Sequence, residues 1–409
     1  MKKIAKLSLV AAIAVAGLTA ANAQPLEEAI KNVDVSGSVV YRYNNSGNDS
    51  STASNTDTAT NNYKIGLNLA SKVNEDVKLN TRFIVGRAAN AGFAQLGNTA
   101  GDDANKDTNA DVSLSNVYFG YTGIKNTTVN VGKQGLTTPW TVAIDSDNNE
   151  QTGTGILALS TVGPVTLAGA YFNQTNLDAS TDARVSTLSA NGTSFVGVLE
   201  GNEAVATAGA ILAAGPATID AWYLDLQDTF DTYTIGAKAS VDLSGIKLGA
   251  DARFAALTLD EDFFGIGTDN SIAKIALTAK AGIVDAKVVY ATTDKDGGLT
   301  ALDNDAVTTV NGWNTTVNGK ADADYWQTTL GVDILSNLNL SANYNNLQYI
   351  NNADDDMTEE ELYAQLVYKM SKNLSSYIRY GTYTKENDTV NGNDINDDVR
   401  GRLQVEYTF

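Results

Sequence analysis

Leu338-Asn339-Leu340-Ser341-Ala342-Asn343-Tyr344-Asn345 alternates apolar and polar side chains without a break. Successive side chains of a strand point to opposite faces, so this pattern describes a strand with one oily and one wet face. The same alternation recurs along the chain. Tyr63, Ile65, Leu67 and Leu69 are interleaved with Lys64, Gly66 and Asn68. Val77, Leu79, Phe83 and Val85 oppose Lys78, Asn80 and Arg82, and Leu403, Val405, Tyr407 and Phe409 oppose Arg402, Gln404, Glu406 and Thr408. Eighteen such segments can be read, the first near Val33 and the last near Val399. Their length, about 8 to 12 residues, suits a tilted strand crossing a bilayer. Segments six to nine, near Gly155, Val165, Val205 and Ala217, are rich in Ala, Gly and Thr and carry the weakest alternation.

The connections alternate as well. Tight links such as Val162-Gly163-Pro164, Ala214-Gly215-Pro216, Ser244-Gly245 and Gly282-Ile283 separate long polar links at 44–62, 88–112, 134–153, 172–204, 257–271, 294–324, 348–361 and 385–398. A β-sandwich would not alternate short and long links so regularly, and a propeller would show a blade repeat that is absent here. Backbone amides in lipid must pair with one another, so a sheet there has to close on itself. The sequence therefore predicts an all-β protein, a transmembrane antiparallel barrel of 18 strands with short periplasmic turns, long extracellular loops and an aqueous bore. The apolar faces would meet outer-membrane lipid and lipopolysaccharide.

Residues 1–23 read as an export signal. Lys2, Lys3 and Lys6 precede an apolar run from Leu7 to about Leu18, and Ala21-Asn22-Ala23 supplies small residues for cleavage before Gln24. Residues 24–409 would then form one barrel domain.

Composition narrows the function. There is no cysteine and no histidine, so disulfide frameworks, Cys₂His₂ zinc sites and histidine-based triads are excluded. The formal charge is −20, which argues against nucleic acid as a partner. Without histidine an outer-membrane hydrolase would lack the usual general base, so no enzyme is expected.

Three groups of residues are candidates for function. General porins fold their third long loop inward, and the corresponding segment is 134–153. There Trp140 would anchor the loop, while Asp145, Asp147 and Glu150 would place negative charge in the constriction. Strand parity puts Arg42, Lys64, Lys78, Arg82, Arg379, Arg400 and Arg402 on the lumen side, on the first three and last two strands, which are neighbours once the barrel closes. A basic wall facing an acidic loop would set up a transverse field across the pore. Finally, Leu403, Val405, Tyr407 and Phe409 resemble the terminal signal read by the machinery that assembles bacterial barrels.

Acidic clusters at Asp102-Asp103, Asp260-Glu261-Asp262, Asp354-Asp355-Asp356 and Glu359-Glu360-Glu361 would enrich cations at a pore mouth. The oxygen-rich run Asp145 to Glu150 could also hold Ca²⁺. Tyr41, Tyr43, Tyr63, Tyr118, Tyr121, Tyr290, Tyr325, Tyr344, Tyr380 and Tyr407 lie near strand ends, as in the aromatic girdles of membrane barrels.

The stretch Gln24-Pro25-Leu26-Glu27-Glu28-Ala29-Ile30-Lys31-Asn32-Val33-Asp34-Val35-Ser36-Gly37, followed by Tyr41-Arg42-Tyr43, closely resembles the mature start of the major outer membrane porins of Campylobacter and related bacteria. Gly132 through Trp140-Thr141 to Gly153-Thr154-Gly155 resembles their third-loop region. The resemblance implies a homotrimer of 18-stranded barrels, a cation-preferring general diffusion pore and bound calcium. No other cofactor is required. The competing readings are a substrate-specific channel, with Tyr363, Tyr377 and Tyr383 as aromatic contacts in the bore, and a surface adhesin working through loops 172–204 and 294–324.

Overall fold

In a computed structural model, the described residues are 33–48, 58–96, 111–180, 189–190, 193–194, 199, 201–260, 269–351, 353–389 and 393–409. The expected signal segment, the start of the mature chain and Asp102-Asp103 lie outside them, as do Glu261 and Asp262. Eighteen strands form the wall. They are β1 (Val33–Asn48), β2 (Thr58–Lys72), β3 (Val77–Gly86), β4 (Asp111–Tyr121), β5 (Thr127–Gly135), β6 (Thr152–Val162), β7 (Val165–Thr175), β8 (Val205–Ala214) and β9 (Ala217–Leu226). The remainder are β10 (Phe230–Leu243), β11 (Ile246–Leu259), β12 (Asp269–Ala281), β13 (Val284–Thr293), β14 (Ala321–Leu335), β15 (Leu338–Ile350), β16 (Asp356–Lys369), β17 (Leu374–Asn387) and β18 (Asn393–Thr408). A short strand, Ala94–Leu96, extends the β2 ladder outside this count.

Every wall strand pairs antiparallel with its neighbours in the chain. The sheet closes where β1 meets β18, in register from Ser38 with Thr408 to Asn48 with Asp398. Reciprocal backbone bonds between Gly37 and Phe409, 2.9 and 3.0 Å long, finish the seam. Closure leaves no unpaired edge for the bilayer to solvate. Among the described residues no helix is long and apolar enough to cross a membrane.

The burial pattern is inverted relative to a soluble protein. On β10, Thr232 and Thr234 are buried while Tyr233 and Ile235 are exposed. Leu248, Leu277, Leu330, Leu340, Leu362 and Ile378 continue an exposed apolar band around the outside. Inside stand Arg42, Lys64, Arg82, Asn343, Asn345, Glu359, Glu361 and Gln404. The periplasmic turns are tight because their residues accept left-handed backbone. Ser244 and Gly245 both have positive φ, 55° and 88°, the combination that a type I′ hairpin needs.

The alternation found the strands but shortened them. β2 begins at Thr58 rather than Tyr63, β16 at Asp356 rather than Leu362, and β18 at Asn393 rather than Val399. Each extension is at the outer end. There apolar residues are sparse, with Met357 on β16 and Ile395 on β18 among mostly polar neighbours, so the hydrophobic period fades while the backbone ladder continues. The weakly patterned β6 to β9 still form, because their neighbours supply hydrogen-bond partners on both sides. Not every tyrosine near a strand end joins a girdle. Tyr325 is fully buried on the inner face of β14, where its hydroxyl meets Thr315 at 2.9 Å.

Candidate pore constriction

The segment between β5 and β6 folds into the barrel. Its base is closed by the Leu136 amide donating to the Gln151 carbonyl at 2.8 Å. A tight turn brings Thr138 against Thr141, with Pro139 and Trp140 between them. Trp140 is 0% exposed and packs in an apolar cluster with Leu136, Phe172, Leu224, Leu299 and Leu302.

Beyond that anchor, the loop's carboxylates bind the basic wall directly. Arg42 on β1 donates to Asp147 at 2.8 Å and to the Ser146 carbonyl at 2.6 Å, while its Nε is held by Gln404 at 2.8 Å. Arg402 on β18 lies 3.5 Å from the same Asp147 oxygen. Lys64 on β2 reaches Glu150 at 2.6 Å and the Asn148 carbonyl at 2.7 Å. Arg82 on β3 approaches Glu150 at 2.8 Å, and the Ser115 hydroxyl from β4 completes the shell. Burial alone would raise the Glu150 pKa. The Arg82 hydrogen bonds and the Lys64 charge outweigh it and hold this carboxyl below its ordinary value.

These contacts revise the transverse field. Acid and base do not face one another across open water; they touch, and each ion pair pins the loop to the wall. Lys78 takes no part, since it lies exposed opposite Lys72 near the periplasmic end of β3. The calcium cage proposed for Asp145, Asp147 and Glu150 is not formed by these residues as placed. Asp145 accepts the Asn149 backbone and side-chain amides at 2.7 and 2.8 Å, and the other two carboxylates are committed to arginine and lysine. Among the described residues no group of three or more acidic side chains is gathered for a metal.

A second inward loop escaped the sequence reading. The polar link read as 294–324, a candidate for adhesion, was expected to be an external loop, and its last residues belong to β14, which starts at Ala321. Instead Leu299 to Asp303 and Thr315 to Asn318 are buried inside the barrel. The Leu302 amide donates to the Trp140 carbonyl at 2.9 Å, and the Ser146 amide to Asp305 at 2.6 Å, so the two loops brace each other. Glu361 on β16 anchors the far side. It accepts the backbone amides of Trp313 and Asn314 at 2.9 and 2.8 Å and the Asn345 side chain at 2.7 Å. A Cβ on Gly312 would fall within 2.5 Å of the Asn345, Thr315 and Glu361 side chains, so a larger residue would have to push these side-chain ends aside. The sequence signal was the apolar content of a nominally wet loop: Leu299, Leu302, Val310, Trp313 and Val317.

The acidic run Glu359-Glu360-Glu361 is likewise not a mouth cluster. It lies on β16, where parity separates it. Glu359 faces inward between Lys320 and Lys385 at 3.5 and 3.4 Å, and Glu360 faces outward to Tyr344 at 2.7 Å.

Between the two loops and the β17–β18 wall lies a polar cavity of about 320 Å³. Asp145, Ser146 and Asp147 line it from one loop, Asn311 to Asn314 from the other, and Tyr377, Arg379, Arg400 and Arg402 from the wall. Arg400 is paired with Asp398 and also meets Asn314. Trp313 stands edge-on to Tyr363 with centroids 5.4 Å apart. Of the terminal residues, Tyr407 and Phe409 are exposed on the outer face with their rings stacked 5.9 Å apart.

A closed barrel with an oily exterior, a wet interior and inward loops defines an outer-membrane porin. More particularly, the chain belongs to the Campylobacter major outer membrane protein family, whose description matches residues 1–409. The fold is also similar to solved structures. A BenF-like porin from Pseudomonas fluorescens Pf-5 aligns with TM-score 0.73 and 16% identity, covering 93% of this chain and 99% of that one. OccK2 (OpdF) from Pseudomonas aeruginosa, in complex with glucuronate, aligns with TM-score 0.72 and 14% identity over 92% of this chain and 98% of that one. OpdK from the same species, with vanillate, gives 0.68 and 15% over 92% and 98%. No curated protein matches this chain at the sequence level.

Proposed function

We propose that this porin passes ions and small hydrophilic solutes by general diffusion, without catalysis, and that it prefers cations. The constriction carries this reading: a water-accessible cavity of about 320 Å³ remains after two loops have been fastened into the bore. Its lining offers donors and acceptors that can replace hydration, as a passive pore requires. Cation preference is supported by the surplus of acidic residues, 48 against 28 basic ones. That surplus acts at long range, from the mouths and outer strand ends. Reconstitution into planar bilayers under a salt gradient tests both statements. A stable ohmic conductance with a reversal potential toward the cation value supports them; reversal toward the anion value overturns the preference.

A substrate-specific channel is the second reading. Two observations favour it: Tyr363 and Tyr377 flank a lumen arginine, and two of the similar structures are described with organic acids bound. Saturable current block by one solute class would separate it from the first reading. The homotrimer is proposed from the family, and contact with the assembly machinery from the exposed Tyr407 and Phe409.

A further inference from the structure

We infer that Arg379, with Trp313 and Tyr377, forms a subsite in the constriction that captures small aromatic carboxylates on their way through the pore. Arg379 differs from the other basic residues around the cavity. Arg42 and Arg402 share Asp147, Arg400 has Asp398, and Lys64 and Arg82 share Glu150. Among the described residues Arg379 has no carboxylate within salt-bridge distance. Its Nε donates to Gln365 at 2.8 Å, which fixes the guanidinium plane while the two terminal nitrogens have no protein acceptor among the described residues.

Three rings hold that plane. The guanidinium carbon lies 4.9 Å from the centre of Tyr363, 5.0 Å from Trp313 and 5.5 Å from Tyr377. Stacking restrains the side chain without using its hydrogen-bond donors. The outcome is a fixed fork, half-buried, at the edge of a cavity large enough for a small molecule. A carboxylate matches the fork in charge and in two-point geometry. Trp313, which also has the Arg402 guanidinium 5.7 Å from its centre, and Tyr377 line the same cavity and put aromatic surface beside the fork for a ligand ring to pack against. Because both the fork and the rings are already in place, binding costs little ordering. The site also gives a pore rich in acid one lumen arginine that has no carboxylate partner among the described residues.

This inference rests on the porin reading, and one experiment separates the two. The full-length protein is reconstituted in a planar bilayer, and benzoate, benzamide or benzylamine is added to one side. Benzoate is expected to block current saturably, with benzamide and benzylamine at least about tenfold weaker. Arg379→Gln should raise the half-blocking benzoate concentration about tenfold or more. Arg379→Lys should raise it nearly as far, because charge is kept while the fork is lost. Trp313→Leu, which leaves the arginine in place, should weaken benzoate block more than acetate block. Equal block by benzamide, or unchanged block in both Arg379 variants, overturns the subsite while conduction stands. Absence of any conductance in the native protein overturns the porin reading and the subsite with it.

Discussion

Arg82 grips Glu150 with both Nε and a terminal nitrogen, at distances of 2.8 to 3.1 Å, across 68 residues of sequence. Lys64 holds the same carboxylate at 2.6 Å, and both Lys64 and Glu150 are almost fully out of solvent. Removing one member of a buried ion group leaves the others unpaired, which costs about 3–5 kcal/mol. Glu150→Gln should therefore release the loop from β2 and β3. Urea titration is expected to show a lower unfolding midpoint, and single-channel traces should become noisier. Unchanged stability and quiet traces would mean that the loop is held chiefly by Trp140.

The same carboxyl predicts a pH response. Its pKa is depressed in the folded loop, so its stabilising contribution is complete above the unfolded carboxyl range, near 4.5, and is lost as pH falls through the lower folded value. Conductance should stay constant between about pH 7 and 5 and change only under stronger acid, below about pH 4. Glu150→Gln should abolish that step. A transition near neutral pH would place the controlling group elsewhere.

Salt concentration should tune selectivity. Mouth carboxylates act over the Debye length, about 30 Å at 0.01 M but about 3 Å at 1 M. At high salt an ion in the constriction responds mainly to what touches it, including Arg379, Arg400 and Arg402. Cation preference is therefore expected to shrink as salt rises. Asp147→Asn, which frees Arg42 and Arg402 from their shared partner, should shift reversal further toward anions. A salt-independent permeability ratio would argue that local ligands, rather than the acidic surplus, set the preference.

The barrel was legible in the sequence because lipid imposes a strict rule on it. A strand with one face in lipid and one in water alternates, weakly where Ala, Gly and Thr fill it as in β6 to β9 and plainly elsewhere, so Leu338 to Tyr344 or Leu403 to Phe409 reveal their faces without any tertiary knowledge. Parity also placed Arg42, Lys64, Arg82, Arg379, Arg400 and Arg402 inside. Loops obey no such period. Asp145, Asp147 and Glu150 could be named from position, but which cation each would meet depends on how the loop turns after Trp140. The inward course of the 294–324 link was not legible because Asn, Thr and Gly satisfy hydrogen bonds inside a wet lumen as readily as outside it. Likewise, Glu359-Glu360-Glu361 looked like one cluster because the polar outer end of β16 hides its strand period.

The second loop yields the last prediction. Glu361 gathers the backbone amides of Trp313 and Asn314 together with the side chains of Asn314, Asn345 and Thr315. A neutral amide can accept fewer of these bonds, and its own NH₂ would face donors. Glu361→Gln should thus loosen residues 311–315 while sparing the Trp140 anchor, which Leu302 and the apolar cluster hold independently. The expected result is a larger unitary conductance and faster amide exchange at Trp313 and Asn314, with unchanged exchange at Thr141. If the conductance stayed at the native value while those two amides exchanged faster, the second loop would not limit the flow, and the segment around Asp147 would be the narrow point alone.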